Sequence, residues 1–207
     1  MTAVRPHDLL RLSRRRSVLP VGTPVWVASA LATTPWVVVR RAPATAADRI
    51  AVGVCGPVRA LRCALEIPAE WVAEALRPEE LATRLGRANR DLPALHTLHA
   101  AASLIQGCVD LPWGPTGSVG FELATGMPAV TATSDLDLLI RSARLPIRGV
   151  AERLHAALGE LPARVDCLIE TDQGAVALGD LAASTTEVLL RTADGPRLVT
   201  VARETAG

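Results

Sequence analysis

The chain has 207 residues, of which 49% are hydrophobic and 21% charged, which excludes an intrinsically disordered protein and allows a substantial buried core. Its formal net charge is only +1, and all 22 basic residues are arginine. We attribute the absence of lysine to coding bias and do not interpret it as a phosphate-binding signal. The four cysteines are isolated, without a C-x-x-C pair, which favours buried free thiols in a reducing cytosol over a disulfide framework or a zinc site.

Charge is distributed unevenly along the chain. Residues 1–90 contain 14 arginines and 7 acidic residues, whereas residues 91–207 contain 8 arginines and 14 acidic residues. This asymmetry predicts a basic N-terminal accessory domain over residues 1–90 and a second, acidic domain over residues 91–207. Chance scatter of surface charge is the alternative explanation.

A basic patch followed by an uncharged apolar stretch, residues 13–39, has the outline of an export signal. Three prolines and a glycine interrupt the stretch, however, and its two apolar parts are more typical of strands. We therefore expect a cytoplasmic protein without a membrane span. The arginines of the patch, Arg14, Arg15 and Arg16, are candidates for binding ligand phosphates or a protein partner, with a solvated basic end as the alternative.

The first domain is predicted to contain a small antiparallel sheet followed by helices. Apolar runs separated at short spacing by proline, glycine and aspartate predict strands near residues 24–30, 35–41, 49–54 and 58–66. Two further segments each begin with proline, and they are predicted helices over residues 68–76 and 78–90.

The second domain alternates between helical and strand patterns. Helices are predicted over residues 92–107, 118–126 and 147–161, strands over 134–142 and 163–171, and a closing hairpin over 186–202. Gly126 is expected to end the second helix. The third helix is expected to bury one apolar stripe formed by Val150, Leu154, Leu158 and Leu161.

Two aspartates interrupt the apolar run of the strand "SDLDLLI". Asp135 and Asp137 are two residues apart, so they point to the same side of a strand and lie roughly 6.5–7 Å apart along it. Two unpaired carboxylates at this spacing repel each other unless a cation lies between them, and their hard oxygen atoms suit Mg²⁺. Asp166 in "RVDCL" is a candidate for the third carboxylate. A solvated strand face is the alternative for the pair, and an exposed residue or an ion-pair partner is the alternative for Asp166.

A glycine-rich turn, "GPTGSVG", precedes a predicted helix. Its Ser118 lies 17 residues before Asp135. Glycine permits close approach of the backbone, and the free amides at the start of a helix form an anion site, to which Gly117 and Ser118 would contribute. An ordinary turn, with Ser118 as the helix N-cap, is the alternative.

The order of these parts is more specific than any one of them. A Gly-Ser turn, a helix, a strand with two aspartates, a helix and a strand with one aspartate resembles the nucleotidyltransferase superfamily of the DNA polymerase β type. Within it, "WGPTGSVGFELATGMPAVTATSDLDLLI" resembles the signature stretch of the malonate decarboxylase holo-acyl-carrier-protein synthases, also called phosphoribosyl-dephospho-CoA transferases. "RPHDLLRL", "VDCLIETDQGAVALGDLA" and "EVLLRTADGPRLV" are also similar to that family in order and spacing.

This resemblance implies an α+β fold. A small N-terminal domain with a mostly antiparallel sheet would be followed by a nucleotidyltransferase domain with a mixed sheet flanked by helices. It also implies Mg²⁺ as the cofactor. Asp135 and Asp137 would be the catalytic, metal-binding pair, with Asp166 as the third carboxylate, while Gly117, Ser118 and Ser134 would contact the triphosphate.

The implied activity is transfer of a phosphoribosyl-dephospho-CoA group from its triphosphate precursor, 2'-(5''-triphosphoribosyl)-3'-dephospho-CoA, to a serine. That serine would belong to the apo acyl-carrier subunit of malonate decarboxylase, and pyrophosphate would be released. Neither a nucleic acid nor a membrane is expected as a partner. Two alternatives are a nucleotidyltransferase acting on another protein or a small molecule, and a non-catalytic module that binds the carrier protein.

Overall fold

The structure is a computed structural model that describes residues 4–13, 19–56, 58 and 60–201. It divides the chain into two units, Met1–Arg77 and Pro78–Gly207, so the division lies ahead of the boundary predicted at Asp91. Ion pairs are among the contacts that attach the segment between the two positions to the second unit. Glu79 forms an ion pair with Arg141, and Arg90 forms one with Glu122. Charge counting does not detect this attachment, because it depends on contacts distant in sequence.

The first unit contains one antiparallel sheet. Its strands are β1 (Leu9–Leu12), β2 (Trp36–Val39), β3 (Arg49–Cys55), β4 (Arg62–Pro68) and β5 (Val72–Leu76), in the order β4-β3-β2-β1-β5. One helix, α1 (Val25–Thr33), precedes β2. The core of the unit is formed by apolar residues of the sheet together with Val27 and Leu31 of α1, which face the same side because they are four residues apart. The antiparallel arrangement predicted from the short strand spacing is confirmed.

Two predicted elements of the first unit are wrong in type. Residues 24–30 were expected to form a strand but lie mostly in α1, which begins directly after Pro24. Residues 68–76 were expected to form a helix but consist of a single 3₁₀ turn, Ala69–Trp71, followed by β5. Exposure alternates along β5, as expected for a strand. Its partner is β1, a strand that was not predicted from the sequence. Pairing with a distant strand therefore overrides local helix propensity here.

The second unit contains a six-stranded sheet flanked by helices. Its strands are β6 (Trp113–Pro115), β7 (Leu136–Arg141), β8 (Val165–Thr171), β9 (Gly174–Ala177), β10 (Glu187–Thr192) and β11 (Gly195–Thr200), and their order follows the chain. Its helices are α2 (Pro78–Ala82), α3 (Pro93–Cys108), α4 (Gly117–Thr125), α5 (Arg148–Gly159) and α6 (Leu178–Ala183). Strand β7 pairs with β8 in parallel, and α5 makes the connection between them, whereas the other described pairs are antiparallel. The predicted α+β class with a mixed second sheet is confirmed.

The predicted elements of the second unit agree well with the structure. Helix α4 ends at a left-handed Gly126, as expected, whereas the predicted helix over residues 78–90 is shorter and consists of α2 and a 3₁₀ turn, Leu85–Arg87. In α5, Leu154 and Leu158 are buried as predicted. The stripe is completed by Ala151, while the predicted Val150 and Leu161 are only half-buried. None of the described helices is long and apolar enough to cross a membrane.

The cysteines lie within the described part of the chain and are free. The prediction that they are buried is correct for Cys167 but wrong for Cys55 and Cys108, which are exposed at the ends of β3 and α3. Cys167 lies in β8 opposite Leu138 of β7. Burial in this apolar layer raises the pKa of the Cys167 thiol to about 12.

We expect the exposed Cys55 and Cys108 to react quickly with a thiolate-selective reagent at about pH 8, and Cys167 to react only after unfolding, because its burial disfavours the thiolate. An Ellman titration of the native and the guanidinium-unfolded chain measures this. Cys167→Ala should remove the slow phase and Cys108→Ser part of the fast phase. A Cys167 that reacts as quickly as Cys108 in the native chain would contradict the burial.

Candidate active site

Asp137 and Asp166 lie side by side on the two parallel strands. The register pairs Asp137 of β7 with Asp166 of β8, and residues paired in this way project from the same face of the sheet. Asp137 is half-buried, and the side chain of Asp166 is 48% exposed. The two predicted carboxylates from distant parts of the sequence are therefore brought together by the sheet.

Asp135 lies just before β7, which begins at Leu136. It is half-buried and stands two residues from Asp137, as the sequence indicates. The backbone amide of Leu136 donates a hydrogen bond to the carbonyl of Arg164, so the start of β7 is held against the segment that leads into β8. Asp135 therefore lies at the same end of the two strands as Asp137 and Asp166.

Asp166 has a basic neighbour on its own strand segment. Nη2 of Arg164 donates a hydrogen bond of 2.9 Å to Oδ1 of Asp166, and the arginine side chain is 71% exposed. An exposed ion pair of this kind contributes little to stability. Asp166 is thus an ion-pair partner, as the alternative interpretation of this residue expected. The ion pair uses Oδ1 and leaves Oδ2 of Asp166 for another ligand.

Gly117 brings the backbone close to the side chain of Asp137. It has a positive φ of 56°, and a side-chain Cβ built on it would overlap the carboxylate of Asp137 and lie only 3.1 Å from the Asp137 Cβ atom. The amide of the preceding Thr116 donates to the carbonyl of Asp137. Glycine is required at this position both for its conformation and for space. The glycine-serine turn is thus adjacent to Asp137, one of the candidate metal ligands.

Ser118 is the second residue of α4, because the N-cap position belongs to Thr116, which makes no side-chain capping hydrogen bond. The interpretation of Ser118 as the N-cap is therefore wrong. The first amides of an α-helix have no acceptors within the helix, so the start of α4 presents N–H groups next to Asp137. This geometry suits a bound anion such as a phosphate.

Ser134 has a local partner in the loop before Asp135. Its hydroxyl accepts a hydrogen bond of 2.9 Å from the amide of Thr131, and its own amide donates to the Thr131 carbonyl. These contacts close a tight turn. Because a hydroxyl has one donor and two acceptor positions, Ser134 retains hydrogen-bonding capacity beyond this turn.

The fit of Mg²⁺ rests on the donor set and the backbone spacing. Asp135, Asp137 and Asp166 offer hard carboxylate oxygens of the kind that Mg²⁺ prefers, at one end of two paired strands. As their side chains are oriented, the described residues contain no group of three or more His, Cys, Asp or Glu that could hold a metal ion. The donor types therefore suit the ion, while the three side chains as they are oriented do not form such a group.

Glu122 of α4 is buried and forms a hydrogen-bond network that the sequence did not reveal. Nε of Arg90 donates to its Oε1 at 2.8 Å and Nη2 to its Oε2 at 2.5 Å, while the amides of Ala129 and Val130 donate to Oε2 at 2.8 and 2.9 Å. The same Nη2 also donates to the carbonyl of Val130 at 2.8 Å. Spacing could not reveal this network, because Arg90 and Glu122 are 32 residues apart.

The two charged groups of this network support each other electrostatically. Burial by itself raises the pKa of Glu122, but the hydrogen bonds from Arg90 and from the amides of Val130 and Ala129 outweigh it, so the pKa lies below its ordinary value. The hydrogen bond to Glu122 in turn raises the pKa of Arg90. Both groups are therefore charged at neutral pH.

A second buried charge lies at the other end of β7. Arg141 is paired in register with Glu170 of β8, and both residues are buried. Nε of Arg141 also lies 2.5 Å from Oε1 of Glu79 in α2. This cluster holds α2 against the sheet.

The arginines Arg14–Arg16, predicted as candidate phosphate or partner contacts, lie outside the described residues.

Two family models match the chain. The "Phosphoribosyl-dephospho-CoA transferase MdcG C-terminal domain" matches residues 80–202, and the "Phosphoribosyl-dephospho-CoA transferase MdcG N-terminal domain" matches residues 5–78. The N-terminal match ends at residue 78 and the C-terminal match begins at residue 80. Both limits lie within two residues of the division between the two units, which falls between Arg77 and Pro78.

Curated relatives resemble the chain over nearly its whole length. The phosphoribosyl-dephospho-CoA transferase of Pseudomonas putida W619 is 41% identical over 199 residues, which cover 96% of this chain and 95% of the relative. The protein of the same name from Pseudomonas aeruginosa PAO1 is 41% identical over 194 residues, with coverages of 94% and 91%. That of Azotobacter vinelandii is 41% identical over 201 residues, with coverages of 94% and 92%. No solved structure matches the chain.

We expect Gly117→Ala to lower the free energy of unfolding by about 3 kcal/mol, because the new methyl group adds a clash with Asp137 to the cost of a left-handed conformation. Gly126→Ala is the matched control. Gly126 also has a positive φ, but nothing lies within 4 Å of its added Cβ, so only the conformational cost of about 1 kcal/mol should appear. Urea denaturation measures both losses, and equal losses would argue against the close approach.

We expect Glu122→Gln to lower the free energy of unfolding by about 2 kcal/mol at neutral pH, because a buried charged acceptor of four hydrogen bonds is lost. The pKa of Glu122 is lowered in the folded chain. Its contribution is therefore present above pH 4.5, the ordinary value, and is lost as the pH falls through the folded pKa.

The stability difference between the wild-type chain and Glu122→Gln should consequently shrink in acid, as measured by urea denaturation across this pH range. Glu152→Gln is the control, because it changes an exposed ion pair in α5 and should cost less than about 0.5 kcal/mol. A difference that stays constant with pH would show that the Glu122 charge does not contribute.

Proposed function

Because this chain belongs to the phosphoribosyl-dephospho-CoA transferase family, we propose that it attaches a phosphoribosyl-dephospho-CoA group to a carrier protein. The proposed donor is 2'-(5''-triphosphoribosyl)-3'-dephospho-CoA. The proposed acceptor is a serine of the apo acyl-carrier subunit of malonate decarboxylase, and pyrophosphate is the leaving group. The four free cysteines suit a reducing compartment, so the proposed place of this reaction is the cytoplasm.

One observation carries the proposal beyond the family assignment. Asp137 lies in register with Asp166 and directly beside Gly117, at the first turn of α4. Carboxylates that suit a divalent cation and helix amides that suit a phosphate are thus adjacent. A phosphoryl transfer from a triphosphate needs both kinds of group next to each other, because negative charge develops on the transferred and the leaving phosphates.

The proposed reaction is a single displacement at phosphorus. The serine oxygen forms a bond to the α-phosphorus of the donor, and the bond from that phosphorus to the bridging oxygen of pyrophosphate breaks. The electron pair of the broken bond leaves with the pyrophosphate. The hydroxyl proton of the serine passes to a carboxylate, for which Asp166 is the candidate because its side chain is the more exposed of the pair. The product is a phosphodiester between the serine and the prosthetic group.

Asp135 and Asp137 are the residues that would hold Mg²⁺, and Asp166 is the candidate for the third ligand, a role that is an alternative to accepting the serine proton. Bound Mg²⁺ supplies positive charge that neutralises phosphate oxygens and lowers the pKa of an attacking hydroxyl. The amides at the start of α4, those of Gly117 and Ser118, would bind the oxygens of the leaving pyrophosphate. Ser134 would add a hydroxyl contact to the triphosphate from the turn beside Asp135.

Intact-mass spectrometry of the carrier tests this proposal. With donor and Mg²⁺ present, the chain should add the mass of the phosphoribosyl-dephospho-CoA group to the carrier and release an equal amount of pyrophosphate, and a chelator should stop the reaction. Asp137→Asn should lower the rate by about 100-fold or more, because a charged group at the reacting phosphate is lost. Asp110→Asn, which changes an exposed aspartate outside the sheet, is the control and should retain the rate.

The other outcomes separate the alternatives. Pyrophosphate release with a different acceptor, but not with this carrier, would favour another substrate for the same chemistry. Tight binding of the carrier without any mass shift, unaffected by Asp137→Asn, would favour a non-catalytic binding module. The absence of both a mass shift and binding would contradict the proposal.

A further inference from the structure

The loop between α4 and β7 carries Asp135 and is fixed from outside the site. It leaves the helix at Gly126 and joins the strand at Leu136. Loops of this length move readily unless their backbone groups have partners. The position of Asp135 relative to Asp137 therefore depends on what holds this loop.

Glu122 and Arg90 hold the loop at one point, Val130. The Val130 amide donates to Glu122, and the Val130 carbonyl accepts from Arg90, so both backbone polar groups of one residue are bound. The neighbouring amide of Ala129 donates to the same carboxylate. Val130 is itself buried. We call this set of contacts the Glu122 clamp.

Only a short stretch separates the clamp from Asp135. This stretch is a turn over residues 131–134. The Thr131 amide donates to the Ser134 hydroxyl, and the Ser134 amide donates to the Thr131 carbonyl. A displacement of Val130 is therefore transmitted through a tight turn to Asp135. The clamp lies on the same helix, α4, whose first residue, Gly117, is adjacent to Asp137.

The charges of the clamp are not explained by stability alone. Glu122 is buried, whereas the side chain of Arg90 is 38% exposed. A buried charge is often replaceable by an apolar residue without loss of stability, so the presence of the Glu122 carboxylate calls for another role. Here the carboxylate accepts two loop amides that no apolar residue could satisfy, and the arginine joins the segment before α3 to both the helix and the loop. Such an arrangement defines one position of the loop.

We propose that Glu122 and Arg90 are positioning residues of the transfer reaction. They hold the loop at Val130 so that Asp135 stands at a fixed distance from Asp137 and from the start of α4. Neither residue touches the reacting atoms. This inference rests on the proposed function for its catalytic consequence, but the hold on the loop is measurable without any substrate.

Amide hydrogen exchange in the full chain measures that hold directly. In Glu122→Gln, peptides covering residues 127–136 should exchange about 10-fold faster or more, while α3 and α5 keep the protection of the wild-type chain. Leu181→Ala is the matched control, since it removes a fully buried side chain of α6, outside residues 127–136, and lowers overall stability. Its exchange in residues 127–136 should not exceed that of the other elements.

Turnover separates a positioning role from a merely structural one. At a temperature where both variants are folded, Glu122→Gln should lower kcat about 10-fold or more and change the KM for the donor by less than about 3-fold, because misplacement of a reacting group acts on the chemical step. Leu181→Ala should retain the kcat of the wild-type chain per folded molecule.

The outcomes are distinct for the two proposals. Unchanged exchange in residues 127–136 of Glu122→Gln would overturn the clamp, and so would a loosened loop with an unaltered kcat. A wild-type chain that transfers no group would count against the proposed function, while the exchange result would still decide whether Glu122 holds the loop.

Discussion

The parallel pairing of β7 with β8 is the constraint on which the second unit depends. Its register places Asp137 beside Asp166 and Arg141 beside Glu170. Leu139 and Leu168 form the pair between them on the same face. A slip by one residue would turn every one of these side chains to the opposite face. The apolar layer on the other face, which contains Leu138 and Cys167, opposes such a slip because it would be exposed.

Ion pairs that each contain one buried member, Arg141 or Glu122, attach segments of the second unit that are distant in sequence. Glu79 reaches Arg141 in β7, and Arg90 reaches Glu122 in α4, so the chain from Pro78 to Arg90 belongs to this unit. A buried charge is costly without partners, and Arg141 and Glu122, the buried members, each have an opposite charge beside them. The attachments therefore favour one arrangement of α2, α4 and the strands around the candidate site.

The first unit shows how weakly a short segment determines its own conformation. "VWVASALAT" is rich in β-branched and aromatic residues at its start but forms α1, because Val27 and Leu31 pack together against the sheet. "VAEAL" consists largely of good helix formers but forms β5, because β1 offers it an edge to pair with. In both cases the longer-range contact decided between two conformations of similar local free energy.

The sequence by itself determined the family resemblance, the α+β class, the helix that ends at Gly126 and the two strands that carry the candidate aspartates. The helix and the strands follow from residue spacing and periodicity within short windows. The α+β class is what the resemblance implies, and the resemblance rests on the order of the motifs along the chain. Only the tertiary structure decided that Asp166 lies beside Asp137, that Gly117 touches the Asp137 carboxylate and that Arg90 binds Glu122. These contacts join residues far apart in the chain, which no local pattern brings together, and the first of them also depends on the register of β7 with β8.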